Sequence, residues 1–183
     1  MSLNKFAINN YKNHMEEDEQ FSFDVGDDEY AALPEADLKK YLALMKALQA
    51  YYQHAHWISK GEPYYGDHLL FERLHGSLAE EIDSLAEKMV GLGGDHFVCV
   101  KTVMGIVSQI LDHVPEMDEN TLGYELAQAS LKMEKLFLAY TKKLYGKMKE
   151  EGSLTLGFDD MLMSLHNKHE GNMYLLKQRV KRA

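Results

Sequence analysis

Cysteine is nearly absent from this chain: Cys99 is the single thiol in 183 residues. One thiol excludes an intrachain disulfide and a metal–thiolate cluster, and its isolation suits a reducing cytoplasm. Proline is scarce, at three residues, and β-branched runs are few, so little in the chain interrupts helix. No stretch approaches the roughly 18 apolar residues of a membrane span, and no apolar signal core opens the sequence. Positive charge is the minority, with 20 Lys and Arg against 29 Asp and Glu, a net charge of -9. Such a chain has no overall attraction for a phosphate backbone, so DNA is disfavoured as a partner. What is present is ordinary globular material, 45% hydrophobic and 27% charged. Its length suits one domain with a substantial core.

The informative stretch runs from His56 to Glu87. It holds a His-Trp pair, a short Gly/Pro/Tyr turn and then a helical pattern. At about 100° per residue, and with His68 as zero, Glu72 falls at about 40°, Asp83 at about 60° and Glu87 at about 100°. One imidazole and three carboxylates thus share a face. Leu70, Leu74, Leu78, Ile82, Leu85 and Met89 lie mostly on the other side. With His56 added, the set is hard-to-borderline nitrogen and oxygen, suited to iron, manganese or zinc. On charges alone, a stripe of acids on an amphipathic helix reads as a solvated face. The two histidines argue against that.

Spacing sharpens the reading. His68 and Asp83 are fifteen residues apart, about 22 Å on a straight helix. Metal ligands sit about 2 Å from the ion. The two ends therefore cannot serve one ion within one chain. Either they are unrelated half-sites, or two copies of the helix pack antiparallel across a two-fold axis, giving two equivalent sites.

The run H-W-x3-G, a His twelve residues after the first, a carboxylate four later, D-x3-E and a closing L-G-G resembles the Dps group of miniature ferritins. Here these are His56-Trp57, Gly61, His68, Glu72, Asp83, Glu87 and Leu92-Gly93-Gly94. The match spans about forty residues without a gap; beyond it the likeness is one of helix order. The resemblance implies an all-α, ferritin-like four-helix bundle with a short extra helix in the crossover between the second and third long helices. It implies a hollow dodecamer built from two-fold dimers, with a ferroxidase site between partners. His56, His68 and Glu72 would come from one subunit, and Asp83 and Glu87 from the other. It further implies oxidation of Fe2+, with hydrogen peroxide as the expected oxidant, storage of Fe3+ mineral and protection against oxidative stress. The group usually carries Asp at the position of Glu72; the longer side chain can still ligate.

Two alternatives come from other classes. One is a DNA-compacting shell with little iron chemistry. The acidic balance counts against it, and the basic cluster Lys177, Arg179, Lys181 and Arg182 counts for it. The other is a bundle with a di-metal site inside one subunit, for which Glu72-x-x-His75 has the right spacing but no second copy exists.

In chain order, residues 1–34 read as an acidic, aromatic extended arm, and 35–183 as the bundle. A first helix opens after Pro34 and stops before Gly61-Glu62-Pro63. A second starts near Asp67 as its N-cap and stops at Gly91–Gly94. Residues 95–120 form a crossover with a short helix over 103–111. The third helix spans about 120–151, with a buried stripe of Leu122, Leu126, Ala129, Met133, Leu136, Tyr140 and Leu144. The fourth begins near Asp159-Asp160, residues that by resemblance would line iron-admitting pores. His54 is expected on the surface; His166, His169 and Glu170 could add a second metal site, but a polar outer face is the expectation. Trp57 is either an electron donor to the site or a packing residue.

Overall fold

The computed structural model describes residues 30–118 and 120–181. The expected arm over residues 1–34 lies outside the described residues except at 30–34, where the Ala31 N–H donates to Gly152 O at 3.2 Å. Among the described residues the chain is all helix: α1 (Glu35–Ile58), α2 (Tyr64–Gly93), a 3-10 turn (Asp95–Val98), α3 (Val100–Leu111), α4 (Gly123–Glu150) and α5 (Leu156–Val180). None of these helices is long and apolar enough to cross a membrane. Helices α1, α2, α4 and α5 form the bundle, and α3 lies in the crossover against α1.

Helix α1 is the central element. Leu38, Tyr41, Leu42, Met45, Leu48, Tyr52 and Ala55 are fully or nearly fully buried. Their three- and four-residue spacing is the amphipathic pattern. On α2, Phe71, Leu74, Leu78, Ile82, Leu85 and Met89 face inward. Each fully buried Leu contributes about 1.5–3 kcal/mol, whereas an exposed ion pair contributes about 0–1 kcal/mol. The apolar stripes therefore hold the bundle, and pairs such as Lys147–Asp37 (2.5 Å) only join α4 to α1 at its edge. Two members of the expected α4 stripe depart from it: Leu122 and Leu136 are exposed. Leu122 lies outside the helix as its N-cap residue, and Leu136 follows the buried Met133 by three residues on the flank of the stripe.

Three of the long helices start away from expectation, each for a local reason. Helix α2 begins at Tyr64, so Asp67 is no cap. Asp67 is buried and takes two hydrogen bonds from Arg179 near the end of α5, at 2.5 and 2.9 Å. Gly123 opens α4 against this pair, and a Cβ there would collide with the Asp67 carboxylate. Helix α4 is capped by Glu125, which accepts from the Leu122 N–H at 2.9 Å; Thr121 and Asn120 instead bond to Asp118 in the loop. Helix α5 begins at Leu156, with Thr155 accepting from the Phe158 N–H at 3.1 Å, so Asp159 sits in the first turn. There it favours the positive end of the helix dipole. At the other end of α2, Gly94 adopts φ 98° and turns the chain into the crossover.

Arg179→Ala leaves the buried Asp67 carboxylate unpaired. The expected loss is about 2 kcal/mol of stability, read as a lower urea midpoint with helix content unchanged in water.

Candidate metal centre

Helices α1 and α2 form an antiparallel hairpin around Gly61, whose φ of 79° is open to glycine at no steric cost. This turn brings the last turn of α1 beside the start of α2. His56 Nδ1 donates to the His68 carbonyl at 3.0 Å, and His68 Nδ1 donates to the His56 carbonyl at 3.1 Å. A carbonyl only accepts, so each Nδ1 carries a proton, and Nε2 is the ring nitrogen not engaged in this pair of bonds. The His56 carbonyl lies in the last turn of α1, among those without a partner inside the helix. The two rings stack with centres 3.9 Å apart. The Tyr64 ring lies 5.1 Å from that of His68.

Glu72 is exposed one turn beyond His68, and Asp83 and Glu87 are exposed further along α2. Because α2 is one unbroken helix from Tyr64 to Gly93, the His68 and Asp83 ends are about 22 Å apart. The structure thus brings His56, His68 and Glu72 to one end and leaves Asp83 and Glu87 at the other. Among the described residues, no group of three or more His, Cys, Asp or Glu is placed to hold one ion within the chain. Trp57 is exposed and meets His54 edge-on at 6.2 Å. His54 is half-buried beneath it. His75, also half-buried, lies 5.2 Å from the His56 ring. Burial and the neighbouring His56 lower its proton affinity, and Glu72 acts in the opposite sense.

A second cluster was not expected. His169 is completely buried in the middle of the bundle, not on an outer face. Its Nδ1 bonds to Glu134 of α4 at 2.6 Å and its Nε2 to Glu81 of α2 at 3.1 Å. Tyr52 of α1 donates to the other Glu134 oxygen at 2.7 Å, and Lys168 pairs with Glu81 at 3.0 Å. Burial disfavours a charge on His169, but the hydrogen bonds and charges of Glu134 and Glu81 outweigh it and raise its pKa to about 9. Burial and Glu134 push the Tyr52 phenol well up, which keeps it a donor. With both ring nitrogens protonated, His169 cannot ligate a metal. His166, by contrast, is half-buried and pairs with the exposed Glu170 at 3.5 Å. A signal for the cluster was present in the sequence. Leu162, Leu165, His169, Asn172 and Leu176 follow the three- and four-residue spacing of a buried stripe.

Comparison with known proteins fits this architecture. No family model matches the chain. General stress protein 20U of Bacillus subtilis is 28% identical over 122 residues, 67% of this chain and 79% of that protein. The structure of Dps from Thermosynechococcus elongatus superposes with a TM-score of 0.70 at 19% identity, over 81% of this chain and 90% of that one. A Vibrio cholerae Dps protein, described as a member of a broad superfamily of ferritin-like diiron-carboxylate proteins, superposes with a TM-score of 0.67 at 18% identity, over 80% of this chain and 88% of that one.

His169 gives a pH test of the interior. Its folded pKa, about 9, is above the ordinary 6.5. The stabilisation is therefore fully present below 6.5 and is lost as pH rises through 9. The urea midpoint of the wild type is expected to fall between about pH 7 and 9.5, and that fall should be absent from His169→Gln.

The crossover helix, the order of the four long helices and these superpositions together give the chain the ferritin-like helical-bundle fold of the Dps group that its His56–Gly94 run resembles.

Proposed function

We propose that the chain is a ferroxidase and iron-storage protein whose oxidation sites form between two-fold partners. The observation that carries this is the reciprocal His56–His68 arrangement. It holds two imidazoles side by side at one end of α2, each tied through Nδ1 so that Nε2 is the nitrogen left to ligate, while Asp83 and Glu87 lie at the other end. Fe2+ is the substrate. His56, His68 and Glu72 of one chain would bind it with Asp83 and Glu87 of a second chain. The carboxylates balance the charge gained on oxidation to Fe3+, and coordination positions left open admit the oxidant. Hydrogen peroxide is the oxidant we propose, because one molecule takes two electrons from two irons. The product would be stored as Fe3+ mineral in a shell of about twelve chains, in the cytoplasm, as protection against oxidative stress. Asp159 and Asp160 would line the entry pores, and residues 1–34 would form an arm.

Further observations support a partner on this face. Trp57, Tyr65 and Leu69 are 65%, 73% and 42% exposed around the two histidines, an apolar rim of the kind that marks contact sites. The rival readings fare less well. In the intra-subunit alternative Glu72 is exposed and His75 only half-buried, and the carboxylates at the bundle centre are already bonded to His169. For DNA, Arg179 of the basic cluster is engaged by Asp67.

Two measurements test the reading. His56→Ala/Asp83→Ala should lose most of the Fe2+ oxidation rate seen in the wild type; equal rates would remove the assigned site. The second test distinguishes shared from single-chain sites. His56→Ala/His68→Ala and Asp83→Ala/Glu87→Ala chains are each expected to be inactive. Co-assembled from equal amounts, they should regain about a quarter of wild-type activity, because half of the dimers are mixed and each mixed dimer has one intact site. Sites confined to one chain would give no recovery.

A further inference from the structure

The chain before α1 joins the bundle at a fixed point. The Ala31 N–H donates to Gly152 O at 3.2 Å, so the segment enters beside the turn between α4 and α5. Near that turn a groove of about 370 Å³ runs between the two helices. Tyr145, Leu162 and Met163 line it, with Lys142 and His166, and Met163 is 60% exposed. Tyr145 and Lys142 lie seven and ten residues before Gly152, about 10 and 15 Å along α4. Phe23 and Phe21 precede Ala31 by eight and ten residues, a reach of up to about 26–36 Å. Both phenylalanines can therefore enter the groove. Charge agrees with reach. Residues 21–29 carry Asp24, Asp27, Asp28 and Glu29 and no Lys or Arg. On α4, Lys142, Lys143 and Lys149 are exposed. Among the described residues these three form no salt bridge, unlike Lys147, which pairs with Asp37 and Glu151.

We propose that the α4–α5 groove is the docking site of residues 21–29 of the same chain. Phe21 and Phe23 cover Tyr145, Leu162 and Met163, and Asp27 and Asp28 face the lysines of α4. Tethering favours this occupant over a separate molecule. A segment anchored about ten residues from its site has an effective concentration of about millimolar, so a weak contact suffices to fill the groove. The acidic residues then have a use that a nucleic-acid arm could not give them. The docked segment closes the seam between α4 and α5. Iron has no part in it, so it stands apart from the ferroxidase reading.

The test is methionine footprinting of the full-length, metal-free protein with hydrogen peroxide, which gives one oxygen atom to the thioether and leaves water. Peptide mass reads the sulfoxide at Met163. Met104, 49% exposed on α3 and outside the groove, is the internal reference. Relative to Met104, Met163 should oxidise at least about fivefold faster in Phe21→Ser/Phe23→Ser than in the wild type, and at least about twofold faster in Asp27→Lys/Asp28→Lys. Circular dichroism checks that both variants keep their helix content. Equal Met163 rates in the wild type and the Phe variant would overturn the proposal, whether the groove is open in both or covered in both by a second copy. An unchanged rate in the Asp variant would overturn the pairing with the α4 lysines. Cys99→Ser/Phe23→Cys/Met163→Cys, oxidised, should migrate as single chains on a non-reducing denaturing gel; linked pairs of chains would put the segment on a neighbour and overturn the same-chain assignment.

Discussion

A helix of thirty residues is stiff, and a metal–ligand bond is about 2 Å long. Between these two facts α2 has little freedom. It carries a nitrogen-bearing end at His68 and a carboxylate end at Asp83 and Glu87, separated by about 22 Å of continuous helix. Bending cannot close that distance, since curvature of long helices is gentle. Within one chain, therefore, Asp83 and Glu87 cannot share an ion with His68; a second copy of the helix running in the opposite direction is what we propose in answer. The exposed aromatic rim around His56 and His68 fits that arrangement, because it provides apolar area to bury beside the polar groups.

The bundle interior meets a different requirement. A buried carboxylate is tolerated when it is paired and hydrogen-bonded. Glu81 and Glu134 come from different long helices, and His169 of a third bridges them. Tyr52 of α1 completes the contact with the fourth. The cluster therefore specifies which helices face one another, in addition to the apolar packing, which is less selective. The Asp67–Arg179 pair makes the same kind of specification at the end of the bundle, where α5 finishes beside the start of α2.

Much of the fold was legible in the sequence, for identifiable reasons. The Leu and Tyr periodicity of α1, and the Gly61 and Gly91–Gly94 breaks, locate the first two helices because backbone chemistry at those positions is local. The short crossover helix was legible in its apolar run, though it begins earlier, at Val100. Asp67 was misread because an Asp before an apolar run has the signature of a cap. Its buried partner, Arg179, lies 112 residues away, and no local pattern encodes such a pairing. His169 was assigned to a polar face because polarity was weighed over spacing, although its position within the buried stripe was visible. In the candidate site, the proximity of His56 and His68 followed from the hairpin. The proximity of His75 did not, since it depends on how far α1 extends past the turn before the chain reverses.

Histidine does opposite things in the two clusters, and the hydrogen-bond partner decides which. At His169 both ring nitrogens face carboxylates, and the low dielectric of the interior strengthens the attraction. The imidazolium is the stable form, and it has no lone pair to give. At His56 and His68 one nitrogen of each ring faces a peptide carbonyl, which accepts a proton's hydrogen bond without carrying a full charge. Those bonds fix the orientation of each ring and hence the direction of its other nitrogen. A fully buried position between two acids thus makes a structural cation, and a half-buried position beside two main-chain carbonyls makes a pair of oriented donors. The same residue type ties the core at His169 and, under the proposed function, ligates at the surface, because α1 and α2 present backbone carbonyls to the Nδ1 atoms of the histidines at their junction.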